Sequence, residues 1–197
     1  MLIASTFLLW IVVALLTVAV LALARQIGVL HERIAPMGAL VTGGGPQAGD
    51  MAPHVHATTI DGKPLAIGPG HMGPRRTLLM FVAPSCPVCR KVIPIAKSVA
   101  AAEQIDLVFI GDGDAKEQAA MVEKYKLAGY PFANSPQVGL AFHVGKLPYG
   151  VLIRADGVIA SKGLVSSREH IESLANADDK GFPSAQAYLR SISTEAA

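Results

Sequence analysis

The chain opens on an uninterrupted apolar run. Residues 2–24 (LIASTFLLWIVVALLTVAVLALA) contain no charge, and at ~1.5 Å per residue they predict a helix of roughly 34 Å, long enough for a ~30 Å hydrocarbon core with some tilt. A cleaved leader is the weaker alternative, because the amino end lacks a Lys/Arg region and the run is too long. Ile27, Leu30 and Ile34 then recur at helical spacing, which extends the helix as a short amphipathic stub. Residues 35–49 (APMGALVTGGGPQAG) carry no charge and are rich in Gly, Pro and Ala, a tether reaching about 20 Å by the flexible-chain relation. The expected organisation is a transmembrane anchor over residues 1–27, a juxtamembrane stub and linker over 28–48, and a folded domain over 49–192.

Within that domain the periodicity alternates. Residues 54–58 and 64–67 flank Asp61-Gly62, a hairpin dipeptide, and predict two short edge strands. Residues 77–83 (TLLMFVA) read as a buried strand that runs into Pro84-Ser85-Cys86-Pro87-Val88-Cys89, after which Val92, Ile93, Ala96, Val99 and Ala100 trace one face of a helix reaching about Ala102. Residues 105–111 predict a second buried strand, and Asp114 with Glu117 a capping box for the helix after it. Ser135-Pro136 opens a short helix closed by Gly145. Residues 149–154 and 158–162 form a hairpin around Asp156-Gly157, Ser166 with Glu169 caps a last helix, and residues 185–191 add a tail helix. The order βαβ followed by ββα specifies an α/β fold, a mixed central sheet with helices on both faces.

Composition sharpens this picture in one respect. Apolar residues make up 51% of the chain and charged ones 16%, but every charged side chain lies at or after Arg25, which makes the remainder about 18% charged and ordinary for a soluble domain. A net charge of +2 is too small to imply a nucleic-acid surface, and 6% aromatic residues are too sparse for a stacking platform, so polyanion binding is disfavoured.

The chemistry rests on the two cysteines, Cys86 and Cys89. With no second pair in the chain, a four-cysteine zinc site cannot form within it, whereas a C-x-x-C at a strand-to-helix turn in a βαβ context matches a dithiol that opens and closes. Cys86 at the helix start is favoured as a thiolate and as the attacking sulfur, and Cys89, one turn in, as the resolving one. Pro87 fixes the first helical position, while Arg90 and Lys91 add positive charge that would tune the thiols. Pro94 falls inside the same helix. His54, His56, His71 and His143 leave open a copper-binding C-x-x-C/His metallochaperone. The plainer expectation puts His54 and His56 on one exposed strand face, His71 in a Gly/Pro loop and His143 at a helix end. No metal is then expected, and no cofactor beyond the redox-active pair Cys86–Cys89.

The run Phe81 to Pro94 (FVAPSCPVCRKVIP) resembles the thioredoxin-like active site, and Leu147-Pro148 followed by Gly150-Val151-Leu152-Ile153 resembles the cis-proline loop of that fold with the strand after it. Residues 48–53 and 61–64 are similar to the entry of the membrane-tethered redoxin branch, and the stretch between Ile110 and Pro148 to its central insertion. Closer still, the anchor, SCPVCRK, KLPYGVLI and SSREHIESL together resemble the MauD family of methylamine utilization proteins.

That resemblance implies a thiol-disulfide oxidoreductase or isomerase assisting maturation of methylamine dehydrogenase. Its partners would be the disulfide-rich, quinone-bearing small subunit and a membrane redox protein, with Leu147 and Pro148 binding the substrate segment. It also implies a single-pass protein of the bacterial inner membrane with the folded domain in the periplasm, where disulfides persist. Arg25 and Arg33 after the apolar run weakly favour the opposite orientation. A thiol reductant of the cytochrome c maturation type is the further alternative. Two positions depart from thioredoxins: Ser85 replaces the Trp before the motif, and Met80 stands where a buried acid is expected.

Overall fold

A computed structural model describes residues 6, 9–18, 20, 21 and 44–179. The chain divides into two units, Met1–Leu40 and Val41–Ala197. In the first, residues 9–18 are helical, and the apolar side chains of Leu9, Trp10, Ile11 and Leu15 are exposed. Among the described residues no helix is long and apolar enough to cross a membrane. The span expected over 2–24 runs past the described residues, and the stub and the tail helix lie outside them.

The second unit is built in the order β1 (Val55–Thr58), β2 (Pro64–Ile67), β3 (Thr77–Val82), α1 (Pro87–Ala102), β4 (Asp106–Gly111), α2 (Ala115–Lys124), β5 (Phe132–Asn134), α3 (Pro136–Ala141), β6 (Tyr149–Ile153), β7 (Ile159–Leu164) and α4 (Arg168–Asp179). Five strands form one mixed sheet in the order β5-β4-β3-β6-β7. β4 runs parallel to β3 through the α1 crossover, and β6 runs antiparallel to it. β1 and β2 are not edge strands of that sheet. They pair as a separate two-stranded ribbon, fastened to β5 by the Thr59–Ala133 bridge and by the Ile60 amide donating to the Phe132 carbonyl at 2.8 Å.

All six side chains of β3 are buried, as a strand covered on both faces requires. Alternation along it separates two cores. Leu78, Met80 and Val82 pack with Val92, Ile93 and Ala96 of α1 and with Ile171 and Leu174 of α4. Leu79 and Phe81 pack with Val108, Ile110, Val138 and Phe142 on the other face. Helices therefore cover both sides, and β3 ends beneath the start of α1.

Three helix ends show local chemistry at work. Asp114 caps α2, its Oδ1 accepting from the amides of Lys116 and Glu117 at 2.9 and 3.1 Å. α3 stops earlier than Gly145, because His143 adopts a left-handed backbone (φ 52) and the His143 and Val144 amides return to the Leu140 and Gly139 carbonyls. At α4 the cap shifts by one residue: Ser167 Oγ accepts from the His170 amide at 3.4 Å, while Ser166 Oγ meets His170 Nδ1 at 3.0 Å. Residues 44–50, expected to lie in or at the end of the linker, run along β7. The Gly49 amide donates to the Ile159 carbonyl and Lys162 Nζ to the Pro46 carbonyl at 2.6 Å.

Candidate active site

Cys86 sits where β3 hands over to α1. It is the cap residue of the helix, with an extended backbone, and Pro87 occupies the first helical position. The short link between Val82 and Cys86 is drawn tight by the Cys86 amide donating to the Ala83 carbonyl at 3.2 Å. Cys86 is half-buried and Cys89 fully buried, and both thiols are free.

The two sulfurs have different surroundings. Cys86 Sγ accepts a hydrogen bond from the Cys89 amide at 3.2 Å, one of the otherwise unpaired N-H groups of the first turn. Burial pushes the Cys89 thiol up to about 12, and its hydrogen bond to Cys86 pushes the same way. Arg90 and Lys91, both exposed, flank the motif on the solvent side. Met80, fully buried, belongs to the same apolar cluster as Cys89, so no carboxylate stands at that position on β3.

The Leu147–Pro148 peptide bond is cis. β6 pairs with β3 in a register that sets Tyr149 opposite Phe81. Extended by one residue, that register brings Pro148 opposite Val82, at the end of β3 from which the dithiol turn leaves. Pro148 is buried and its carbonyl accepts from the Val165 amide at 3.1 Å. Leu147 is half-buried against both core clusters. The two widely separated motifs thus meet at one end of the sheet.

Other features had no sequence signal. A cavity of about 250 Å³ beside the dithiol turn is lined by Pro84, Arg90, Glu117, Met121, Lys124 and Tyr125, bringing α2 next to the site. Gln118, on the same helix, is fully buried with neither amide atom partnered among the described residues, and it fills the space that a side chain at Gly111 would need. His143 stays at the end of α3, where Gly45 packs so closely that a methyl group there would overlap its ring. Among the described residues, no three His, Cys, Asp or Glu side chains stand, as placed, in a group able to hold a metal ion.

A C-x-x-C at the start of the helix after the central strand, facing a cis-proline loop at the same sheet end, defines a thiol-disulfide oxidoreductase of the thioredoxin-like class. Solved structures agree: a secreted disulfide oxidoreductase of Mycobacterium tuberculosis is 25% identical with a TM-score of 0.51, covering 63% of this chain and 96% of its own. The thioredoxin domain of a thiol-disulfide oxidoreductase from Bacteroides vulgatus shares the fold, at 17% identity and a TM-score of 0.54 over 68% of this chain and 96% of its own. No protein-family model matches the chain. Methylamine utilization protein MauD of Paracoccus denitrificans is 47% identical over 196 residues, 100% of this chain and 98% of the relative. The MauD of Methylorubrum extorquens is 47% identical over 190 residues, 96% of this chain and 93% of the relative. The chain belongs to the MauD family.

Proposed function

We propose that this protein exchanges disulfides with the small, quinone-bearing subunit of methylamine dehydrogenase while that enzyme matures. It does so as an inner-membrane protein whose folded domain faces the periplasm and exchanges electrons with a membrane redox partner. The observation that carries the chemistry is the asymmetry of the pair, a half-exposed Cys86 sulfur held by the Cys89 amide and a sealed Cys89 thiol. The working group is the pair itself, with no added cofactor.

In the reducing direction the Cys86 thiolate attacks one sulfur of a partner disulfide, a Cys86–partner S–S bond forms, and the other partner sulfur leaves as a thiolate that takes up a proton. Cys89, giving up its proton, then attacks Cys86, releasing the second partner thiol and closing Cys86–Cys89. Two electrons pass from the dithiol to the partner; oxidation is the same sequence reversed. Isomerisation follows when a partner thiol, rather than Cys89, resolves the mixed disulfide. Leu147 and Pro148, at the sheet end from which the dithiol turn leaves, are the residues that hold an extended substrate segment in this reading. Arg90 and Lys91 add positive charge on the approach.

The test is to incubate Cys89→Ser with the scrambled small subunit and look for a mixed disulfide at Cys86. Cys86→Ser is expected to form none. Equal trapping by both variants, or none by Cys89→Ser, overturns the assignment.

A further inference from the structure

We infer that the cavity beside the dithiol turn is a specificity pocket for an acidic side chain, an Asp or Glu that the partner segment carries close to its reacting cysteine, and that Arg90 and Lys124 supply the charge that selects it. This deepens the maturation reading and rests on it for the exchange itself. The chain brackets the cavity on both sides of the attacking sulfur. Pro84 lies just before Cys86 on the dithiol turn, and Arg90 lies one turn after it on the same face of α1. Lys124 and Tyr125, at the end of α2, form the opposite wall together with the buried Met121. At about 250 Å³ the space falls below the ~300–1,000 Å³ of a small-molecule site, so it takes a side chain rather than a whole ligand.

Charge makes the pocket selective. Arg90, Lys124 and a single carboxylate, Glu117, line it, and among the described residues none of the three forms an ion pair. A carboxylate entering the cavity therefore meets two attractions against one repulsion, and an ammonium meets the reverse. The walls are held before a partner arrives. Lys97, from α1, donates to the Tyr125 and Lys126 carbonyls at 3.2 and 3.1 Å, which ties the end of α2 to α1, and the Lys124 ammonium rests 5.7 Å from the centroid of the Tyr125 ring. Little ordering remains to be done on binding. Spacing also fits. In an extended segment, side chains two residues apart point the same way about 7 Å apart, close to the ~5.4 Å advance of one helical turn. A partner whose cysteine sits at Cys86 thus brings the side chain two residues away towards Arg90.

End-capped peptides of Gly, Ala and Ser test the pocket in the reduced full chain, each with one cysteine as its pyridyl disulfide and with Asp, Asn or Lys placed two residues to either side of it. The Cys86 thiolate attacks the peptide sulfur, a Cys86–peptide S–S bond forms and pyridinethiol leaves with a proton; Cys89 then attacks Cys86, closing the Cys86–Cys89 bond and releasing the peptide thiol. The Asp peptide is expected to react about tenfold faster than the Asn peptide at low salt, with the Lys peptide slowest, and the difference to fade above about 0.5 M salt. Arg90→Gln and Lys124→Gln should each cut the Asp-to-Asn ratio by about threefold, and Glu117→Gln should raise it. The ratio is the readout because Arg90 also flanks the reacting sulfur, and any effect on that sulfur moves all three rates together. Equal rates for the Asp and Asn peptides, or a ratio untouched by both Arg90→Gln and Lys124→Gln, overturns the pocket and leaves the exchange chemistry standing. Failure to exchange with any of the three peptides overturns the maturation reading and the pocket with it.

Discussion

The Cys89 amide donates to the Cys86 sulfur at 3.2 Å, so the residue that would resolve a mixed disulfide also steadies the sulfur that starts one. Its own thiol is sealed and held near 12, which at pH 8 leaves roughly one Cys89 in ten thousand ionised. Alkylation of the reduced protein near pH 8 should therefore modify Cys86 at least ~100-fold faster than Cys89. Peptide mapping after brief iodoacetamide treatment gives the ratio. Comparable labelling of both would reverse the roles.

Stability of the reduced protein should depend on alkaline pH. The folded state holds the Cys89 proton more tightly than the unfolded chain, whose thiol titrates near ~8.5. The contribution is thus fully present below about pH 8.5 and is lost as the pH climbs through the folded value near 12, by at most ~1.4 kcal/mol per pH unit. Denaturant unfolding of reduced wild type between pH 7.5 and 10 should show a decline that Cys89→Ala and the disulfide form lack. Identical slopes in all three would remove the explanation.

Gln118 bears a buried amide with no partner among the described residues, which costs about 1–3 kcal/mol of desolvation. Gln118→Met keeps the length and removes the polar atoms, so it should raise stability by about 1 kcal/mol and leave exchange with a small disulfide unchanged. Chemical denaturation measures it; a loss of stability would mean that the amide has a partner the described residues do not include.

Gly157 has φ 86, and a Cβ there would lie 2.6 Å from Pro69 Cα. Backbone cannot swing aside as a side-chain tip can. Gly157→Ala is therefore expected to cost about 2–3 kcal/mol, seen as a lower thermal midpoint, and to shift the NMR signals of His71. An unshifted midpoint would show that the loop yields freely.

The segments that could be read from the sequence are those whose pattern is local. A continuous apolar run marks β3, and a stripe at 3.6-residue spacing marks α1. The cap of α4 was misplaced by one because adjacent serines offer the same oxygen, and the backbone geometry selects Ser167. β5 is only three residues long, too short for a period to emerge after Pro131. The redox pair was legible from spacing, whereas the Leu147–Pro148 loop was legible only through family resemblance, since a Leu-Pro step has no chemistry of its own. Gln118 over Gly111, seven residues apart, and His71 against the β1 ribbon depend on how a turn folds one element back over another, which no apolar period or spacing motif encodes.

The burial of Cys89 directly behind Cys86 also bears on oxidative damage. A peroxide arriving from solvent meets Cys86, the accessible sulfur, and converts it to a sulfenic acid; the neighbouring Cys89 thiol then condenses with it, expelling water and closing the S–S bond before further oxygen can be added. An accident that would ruin a solitary cysteine returns this one to its ordinary oxidised form, ready to be reduced again.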